Sequence, residues 1–228
     1  MLVGIIGAMT EEVESLKKEM QVEQEYRQAR MDYIKGKLWG KDVVVVVSGI
    51  GKVNAAVCTQ ILIDKFDVDM VINVGVAGGI GESIKPGDVV VGTKLIQHDM
   101  DATRFGYDLG QIPRMDTLDF ESDKKLVSIA MMADCSDMNI MEGIIVTGDQ
   151  FVACPEKADF LVKTFDAKAT EMEGASIAQV AYLNEKPFVI IRSISDNAST
   201  GASMEYNSFV DLAVENSLKV IKLLLEKI

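Results

Sequence analysis

Histidine and cysteine are scarce in this 228-residue chain, and their scarcity excludes several kinds of site. The single histidine, His98, cannot build a His-rich metal centre, and no other cluster has metal-ligand spacing. We therefore expect neither a metal nor a cofactor. The three cysteines, Cys58, Cys135 and Cys154, form no CxxC motif, which is typical of small buried thiols in a reducing cytoplasm.

Positive charge and long apolar runs are also lacking. The chain has 23 Lys and Arg against 35 Asp and Glu, a net charge of −12, whereas nucleic-acid binding requires clustered basic residues. The same charge disfavours an anionic membrane surface. No apolar run reaches the roughly eighteen residues of a membrane span, and the first residues lack the basic region of a signal peptide. The sequence predicts a soluble, cytoplasmic protein whose partner is a small molecule or another protein.

What is present is an alternation of apolar strands and amphipathic helices, which predicts one α/β domain over residues 1–228. Strands are predicted at 2–6, 22–27, 31–39, 43–48, 70–74, 88–91, 140–147 and 188–191. Helices are predicted from residues 11, 52 and 155 and over 122–134, 174–184 and 206–227. The glycine-rich run after residue 74 is predicted to be a turn. Residues 98–121 form a long irregular segment, and loops of that length are more often functional or interface-forming.

The familiar glycine and serine motifs fail when their spacing is checked. Gly49-Ile50-Gly51 and Gly79-Ile80-Gly81 lack the third glycine of GxGxxG, since Asn54 and Ile84 stand there. Gly51-Lys52 lacks the rest of a P-loop, and Ser195 lacks the GxSxG context of a serine hydrolase. Dinucleotide binding, P-loop chemistry and serine-hydrolase chemistry are therefore disfavoured.

Carboxylates at predicted strand ends remain as the candidate chemistry. In extended backbone Glu171 and Glu173 would face the same way, whereas in a helix they would lie roughly 200° apart. The strand 188–191 runs into the polar residues 192–196, and open α/β sheets bind ligands at such strand ends. From the residues alone, Glu171 and Glu173 are equally well explained as solvated acids at a helix N-terminus. Glu12 is likewise better explained as a surface acid of a first helical turn.

Eight blocks, in order across nearly the whole chain, resemble the 5′-methylthioadenosine/S-adenosylhomocysteine nucleosidases. They are GIIGAM with Glu11-Glu12, SGIGKV, NVGVAGG, His98-Asp99, FGY, GDQF, Glu171-Met172-Glu173 and RSISD. The resemblance implies a nucleoside phosphorylase-like fold, a three-layer αβα domain with a central mixed, twisted sheet, usually as a homodimer. It also implies hydrolysis of the adenine–ribose bond of 5′-methylthioadenosine and S-adenosylhomocysteine, without a cofactor, in methionine salvage and methyl-cycle recycling.

The resemblance implies a role for particular residues as well. Asp196 matches the general acid that protonates adenine N7, and Glu12 matches the general base that activates water. Glu173 matches the residue that binds the ribose hydroxyls. The other positions implied to contact the nucleoside are Met9, Ile50, Gly78, Phe151, Val152, Glu171, Met172, Arg192 and Tyr206. Phe105 and Pro113 match residues that reach across a dimer to close the neighbouring subunit's 5′ pocket.

Two positions depart from the family pattern, and three other functions stay open. Val76 stands where many relatives carry serine, which removes a hydroxyl beside the expected position of Asp196, and Tyr206 stands where phenylalanine is familiar.

Hydrolysis of a related adenine nucleoside, such as 5′-deoxyadenosine or aminodeoxyfutalosine, is the nearest alternative. A purine nucleoside phosphorylase would need cations to hold phosphate, for which only Lys52 and Arg192 are nearby. A nucleoside-binding protein without catalysis is the third.

Overall fold

The computed structural model describes residues 1–81, 83–133, 139–198 and 202–228, except for the side chains of 202–211 and 213. Within these ranges the chain forms ten strands, joined in one mixed sheet. The strands are β1 (Leu2–Gly7), β2 (Gln21–Gln28), β3 (Met31–Leu38), β4 (Lys41–Val47), β5 (Met70–Gly79), β6 (Val89–Gln97), β7 (Phe120–Glu121), β8 (Ile140–Thr147), β9 (Ala167–Glu171) and β10 (Phe188–Asn197). Six α-helices connect them: α1 (Thr10–Glu19), α2 (Lys52–Phe66), α3 (Lys124–Ala130), α4 (Pro155–Phe165), α5 (Gly174–Leu183) and α6 (Ala202–Lys227).

Seven of the ten strands form two parallel sets that run in opposite directions, and β2, β3 and β7 pair antiparallel with their neighbours. Strands β1, β4, β5 and β10 pair in parallel, as do β6, β8 and β9. The two sets meet antiparallel, at β10 against β6 and at β5 against β9. As a result, β5, β10, β6, β8 and β9 form a closed ring. At the β5–β9 contact, Gly78 pairs with Thr170, so the carboxyl ends of strands from both sets overlap there. Carboxyl ends of strands are where α/β sheets bind ligands.

Helices cover the sheet on both faces. The core on one face contains residues of α2 and α5, and the core on the other contains residues of α1, α3 and α6. A smaller apolar cluster packs α4 against β8 and β9. Strand β10 is buried from Phe188 to Asp196, as expected for a central strand covered on both faces. No helix in the described part of the chain is long and apolar enough to cross a membrane.

The sequence-based prediction of a turn after residue 74 is wrong. Residues 75–79 continue β5, because Gly75, Val76, Ala77 and Gly78 pair with β10. A Cβ on Gly75 would lie 2.6 Å from Oε1 of Glu12, and a Cβ on Gly78 would lie 3.3 Å from Oδ2 of Asp196. The glycines are thus placed where carboxylates approach the strand, and they do not mark a change of direction.

Candidate active site

A cavity of about 270 Å³ lies where the carboxyl ends of the two strand sets overlap. Nine of the residues expected at a nucleoside site line this cavity: Met9, Glu12, Ile50, Gly78, Phe151, Glu171, Met172, Glu173 and Asp196. A small cavity of about 30 Å³ beside it adds Val152. The fold therefore collects residues that lie more than 180 positions apart in the sequence, from Met9 to Asp196.

Glu12 reaches the cavity from the first turn of α1. Its Oε2 accepts the N–H groups of Ala8 (2.6 Å) and Met9 (2.9 Å), and its Oε1 accepts the N–H of Val76 (3.0 Å). Glu12 is only 4% exposed, whereas its neighbour Glu11 is exposed. The interpretation of Glu12 as a surface acid is therefore wrong. Burial raises the pKa of Glu12, although Arg192 and the three N–H groups partly offset this effect.

Glu171 is held by a buried ion pair behind the cavity. Its Oε2 lies 2.6 Å from Nη2 of Arg192 and accepts the N–H groups of Glu173 (3.0 Å) and Gly174 (2.7 Å). Its Oε1 accepts the hydroxyl of Thr147. Burial alone would lower the pKa of Arg192, but the nearby glutamates outweigh burial and raise it. Arg192 does not line the cavity; it lies beneath it, 1% exposed.

Glu173 points a buried carboxylate into the cavity from the start of α5. Its Oε1 accepts the N–H of Gly51 (2.8 Å), and its Oε2 lies 4.0 Å from Nη2 of Arg192. Burial, with a further contribution from the charge of Glu171, raises the pKa of Glu173 to about 7. With 6% exposure for both Glu171 and Glu173, neither is a solvated helix-terminal acid.

Asp196 lies near the end of β10 with 1% exposure. The hydroxyl of Ser195 donates to its Oδ1 (2.7 Å) and also lies 3.3 Å from the carbonyl of Ala77. Ser195 therefore supplies a hydroxyl to the carboxyl group. Val76 also lines the cavity, and its backbone N–H binds Glu12.

Besides Arg192, three of the predicted contact residues lie apart from the cavity or outside the described side chains. Phe105 is 84% exposed and Pro113 is exposed, and neither lines the cavity of its own chain. The backbone of Tyr206 belongs to α6, but its side chain lies outside the described residues.

Several polar residues that the sequence analysis did not single out support the site. The side-chain carbonyl of Asn73 accepts Nη2 of Arg192 (2.6 Å), while its amide donates to the carbonyl of Ile6 (2.9 Å). Thr170 lines the cavity, 5% exposed, and its hydroxyl has no hydrogen-bond partner among the described residues. The polarity of Asn73 inside the otherwise apolar strand β5 is a signal in the sequence that could have marked it, whereas Thr170 stands in a strand with other polar residues.

The described residues contain no cluster of three or more histidine, cysteine or acidic side chains that could hold a metal ion. The chemistry of the cavity is that of buried carboxylates and backbone N–H groups, with the Arg192 guanidinium behind them. Such a set can donate protons, accept protons and bind hydroxyl groups.

Comparisons with known proteins place this site in a family. The family model described as the phosphorylase superfamily matches residues 2–226. A 5′-methylthioadenosine/S-adenosylhomocysteine nucleosidase from an Exiguobacterium species is 45% identical over 97% of this chain and 96% of its own length. The chain belongs to this nucleosidase family.

Solved structures agree with the nucleosidase assignment. The nucleosidase from Neisseria meningitidis, in complex with methylthio-immucillin-A, has a TM-score of 0.95 and 41% identity, covering 100% of this chain and 99% of that one. The futalosine hydrolase of Helicobacter pylori has a TM-score of 0.94 and 35% identity, covering 100% and 98%. The predicted nucleoside phosphorylase-like α/β fold with a mixed sheet is confirmed.

Proposed function

We propose that this member of the nucleosidase family is an N-glycosyl hydrolase. It cleaves 5′-methylthioadenosine and S-adenosylhomocysteine to adenine and 5-methylthioribose or S-ribosylhomocysteine, in methionine salvage and methyl-cycle recycling. The observation that carries this proposal is that Glu12, Glu173 and Asp196, at most 6% exposed, line one cavity of nucleoside scale. Family membership supports the choice of substrate.

Asp196 is proposed as the general acid. Adenine leaves poorly as an anion, so a proton must reach N7 as the bond to the sugar breaks. Asp196 suits this role by position, because its carboxyl group lines the cavity and the Ser195 hydroxyl fixes one of its oxygens. A positioned proton donor accelerates such a step by roughly 10²–10⁴-fold.

Glu12 is proposed as the general base that takes a proton from the attacking water. Burial raises its pKa, which makes the carboxylate a stronger base once ionised. Three backbone N–H groups fix its direction, so it has little rotational freedom to lose during the reaction. The water adds to C1′ of the ribose, and the adenine leaves with the proton from Asp196.

Glu173 is proposed to bind the ribose hydroxyls and, with its negative charge, to stabilise the oxocarbenium-like sugar. Gly51 holds one of its oxygens. Glu171, which binds Arg192 and the backbone of Glu173, is proposed to set the position of Glu173. Phe151, which is 58% exposed at the cavity, is proposed to stack on the adenine ring.

The arrangement of charge favours water over phosphate as the nucleophile. A phosphorylase needs cationic groups to hold its second substrate. Lys52 lies 2.6 Å from Asp99, and Arg192 lies 2.6 Å from Glu171, so an acidic partner neutralises each of these cations. The buried acid Glu12 would also repel a phosphate in the same cavity.

The proposed activity is tested by measuring adenine release from a panel of nucleosides. We expect kcat/KM to be highest for 5′-methylthioadenosine and S-adenosylhomocysteine. The similarity to a futalosine hydrolase favours a second candidate, hydrolysis of a related nucleoside with another 5′ substituent. A clear preference for aminodeoxyfutalosine or 5′-deoxyadenosine would support that candidate. Binding of all of these compounds without release of adenine would contradict both proposals.

We also propose that the protein is a homodimer. Phe105 is 84% exposed; Ile50, which lines the cavity, and Val53 and Val57 of α2 are 54%, 73% and 40% exposed. Large exposed apolar side chains are typical of an interface. Phe105 and Pro113 would then close the partner's 5′ pocket. Light scattering should give about twice the chain mass of 24.9 kDa. Phe105→Ala should raise KM for 5′-methylthioadenosine. A monomeric wild-type protein, together with an unchanged KM in Phe105→Ala, would contradict this proposal.

We propose a cytoplasmic location on chemical grounds. Cys58 and Cys154 are both free thiols in the structure, and free thiols persist in a reducing compartment. Fractionation of the producing cell tests this location.

A further inference from the structure

A closed network of hydrogen bonds joins three segments, two of which lead to the cavity-lining residues Ile50 and Phe151. Nζ of Lys52 lies 2.6 Å from Oδ1 of Asp99, and the other oxygen of Asp99 accepts the N–H of Asp149 (3.0 Å). Oδ1 of Asp149 in turn accepts the N–H of Lys52 (2.9 Å). The network therefore links the start of α2, the segment after β6 and the turn after β8.

Two of the three linked segments, the start of α2 and the turn after β8, carry a group of the proposed nucleoside site. Gly51, next to Lys52, donates its N–H to Glu173 (2.8 Å). Phe151, two residues after Asp149, lines the cavity while 58% exposed. Gly51 has φ +97°, and a Cβ there would lie 3.1 Å from Oδ1 of Asp149. Only glycine brings this N–H to Glu173 while Asp149 stays in place.

The Lys52–Asp99 pair is partly shielded from water, which makes it stronger than an ordinary surface pair. The two side chains are 19% and 16% exposed. Burial alone would raise the pKa of Asp99, but the Lys52 ammonium and the Asp149 N–H hold it below its ordinary value. Two further bonds anchor Lys52: its Nζ donates to Oε1 of Gln97 (3.2 Å), and its carbonyl accepts the hydroxyl of Ser176 (2.7 Å).

We propose that Lys52 and Asp99 are positioning residues, whose ion pair fixes the Gly51 N–H on Glu173 and the turn that carries Phe151. This inference rests on the proposed function, since it assigns Glu173 to the ribose and Phe151 to adenine. This role accounts for Lys52 without assigning it to phosphate binding, as a phosphorylase would require. The pair acts through its neighbours and does not touch the substrate.

The test compares Asp99→Ala with Asp119→Ala. Asp119 is a matched control, because it pairs with Lys94 of β6 at 2.9 Å and its side chain is 19% exposed, yet it does not line the cavity. For Asp99→Ala we expect kcat/KM for 5′-methylthioadenosine to fall about tenfold or more, since small misplacements of positioning groups are costly. The loss should be smaller for 2′,3′-dideoxyadenosine, which lacks the hydroxyls that Glu173 would bind. Asp119→Ala should leave kcat/KM unchanged for both substrates.

Hydrogen exchange of the wild-type and variant proteins separates this inference from the proposed function. Backbone amides over 49–52 and 148–151 should exchange faster in Asp99→Ala and stay protected in Asp119→Ala. If the wild-type protein hydrolyses no nucleoside, the proposed function is wrong. The exchange data then test by themselves whether the Lys52–Asp99 pair fixes these two segments. Unchanged exchange in Asp99→Ala, or an equal loss on both substrates, would overturn the inference.

Conservative variants guard against misfolding of the alanine variant. Asp99→Asn keeps the side-chain shape and an acceptor for the Asp149 N–H but removes the negative charge. It should raise KM for 5′-methylthioadenosine more than for 2′,3′-dideoxyadenosine. Lys52→Arg should restore most of the activity that Lys52→Met loses. A Lys52→Met protein with wild-type kinetics would contradict the positioning role.

Discussion

At the residue scale, the chemistry depends on acids whose surroundings distinguish them from ordinary surface acids. Glu11 and Glu12 are adjacent in the sequence, yet one is exposed and the other accepts three backbone N–H groups in a buried cavity. This contrast arises from the long-range approach of β5, which brings the N–H of Val76 to Glu12. The residue types alone could not separate the two.

Replacing the proposed general acid should abolish most turnover while preserving binding. For Asp196→Asn we expect kcat on 5′-methylthioadenosine to fall by roughly 10²–10⁴-fold, with nucleoside affinity by calorimetry nearly unchanged. A 4-nitrophenyl riboside, whose leaving group needs no protonation, should be spared this loss. Full activity of the variant on 5′-methylthioadenosine would remove Asp196 from the acid role.

Replacing the proposed base should affect both kinds of substrate. For Glu12→Gln we expect a loss of roughly 10²–10⁴-fold in kcat on 5′-methylthioadenosine and on the 4-nitrophenyl riboside alike, because both need an activated water. Glu11→Gln, one residue away and exposed, is the matched control and should retain wild-type rates. Equal rates for the two variants would place the base elsewhere.

At the element scale, β5 is the strand against which the carboxylates of Glu12 and Asp196 pack. Its glycines allow Glu12 and Asp196 to approach the strand, as the Cβ distances at Gly75 and Gly78 show. The apolar runs of β1, β4 and β10 allowed these strands to be predicted from the sequence. The continuation of β5 through its glycines was not, because glycine is a poor strand former when neighbours are unknown.

Gly75→Ala tests the role of β5. The new Cβ would lie 2.6 Å from Oε1 of Glu12 and 3.3 Å from Nη1 of Arg192, so it must displace the base. We expect kcat to fall by roughly 10²-fold or more, as for other small misplacements of reacting groups.

Gly4→Ala on the neighbouring strand β1 is the control for this prediction. Its Cβ would meet the flexible Leu62 side chain at 3.2 Å, and we expect a cost of about 1 kcal/mol in unfolding free energy with normal kcat. Normal kcat in Gly75→Ala would mean that Glu12 does not need its observed position.

The resemblance to the nucleosidases predicted most of the site, and physical reasoning from isolated residues predicted little of it. Nine residues expected to contact the nucleoside line one cavity, although their roles stay proposals. Asn73, Thr147 and the Lys52–Asp99–Asp149 network were not predicted, because each depends on strands that meet only in the folded chain. Arg192 was expected at the substrate and lies one layer behind it.

At the scale of the whole molecule, one sheet carries strands from Leu2 to Asn197, which supports our proposal that residues 1–228 fold as one domain. The closed ring of β5, β10, β6, β8 and β9 concentrates buried carboxylates at a single place. Glu12, Glu171, Glu173 and Asp196 share that place with one guanidinium. The site therefore has more acidic groups than cationic groups, and folding stability should depend on pH.

Burial raises the folded-state pKa of Glu173 to about 7 and raises that of Glu12, both above the ordinary value of 4.5. A raised carboxyl pKa stabilises the folded state fully below pH 4.5, and this contribution is lost as pH rises towards 7. We expect the unfolding free energy contributed by Glu173 to fall on the order of 2–3 kcal/mol across that window.

Denaturant unfolding of the ligand-free protein at several pH values measures this dependence. Glu173→Gln should flatten the decline between pH 4.5 and 7, because the variant cannot ionise there. Glu121→Gln, at an exposed position of β7, should leave the slope unchanged. A slope that is the same in Glu173→Gln and in wild type would contradict the assignment.

The central claim is that water, activated by a buried carboxylate, cleaves an adenine nucleoside in this cavity. The most direct test is adenine release from 5′-methylthioadenosine in phosphate-free buffer, with the sugar product identified by mass spectrometry. We predict release without added phosphate and free 5-methylthioribose as the product. Release only on addition of phosphate, with a sugar 1-phosphate as the product, would contradict the account and remove Glu12 as the base.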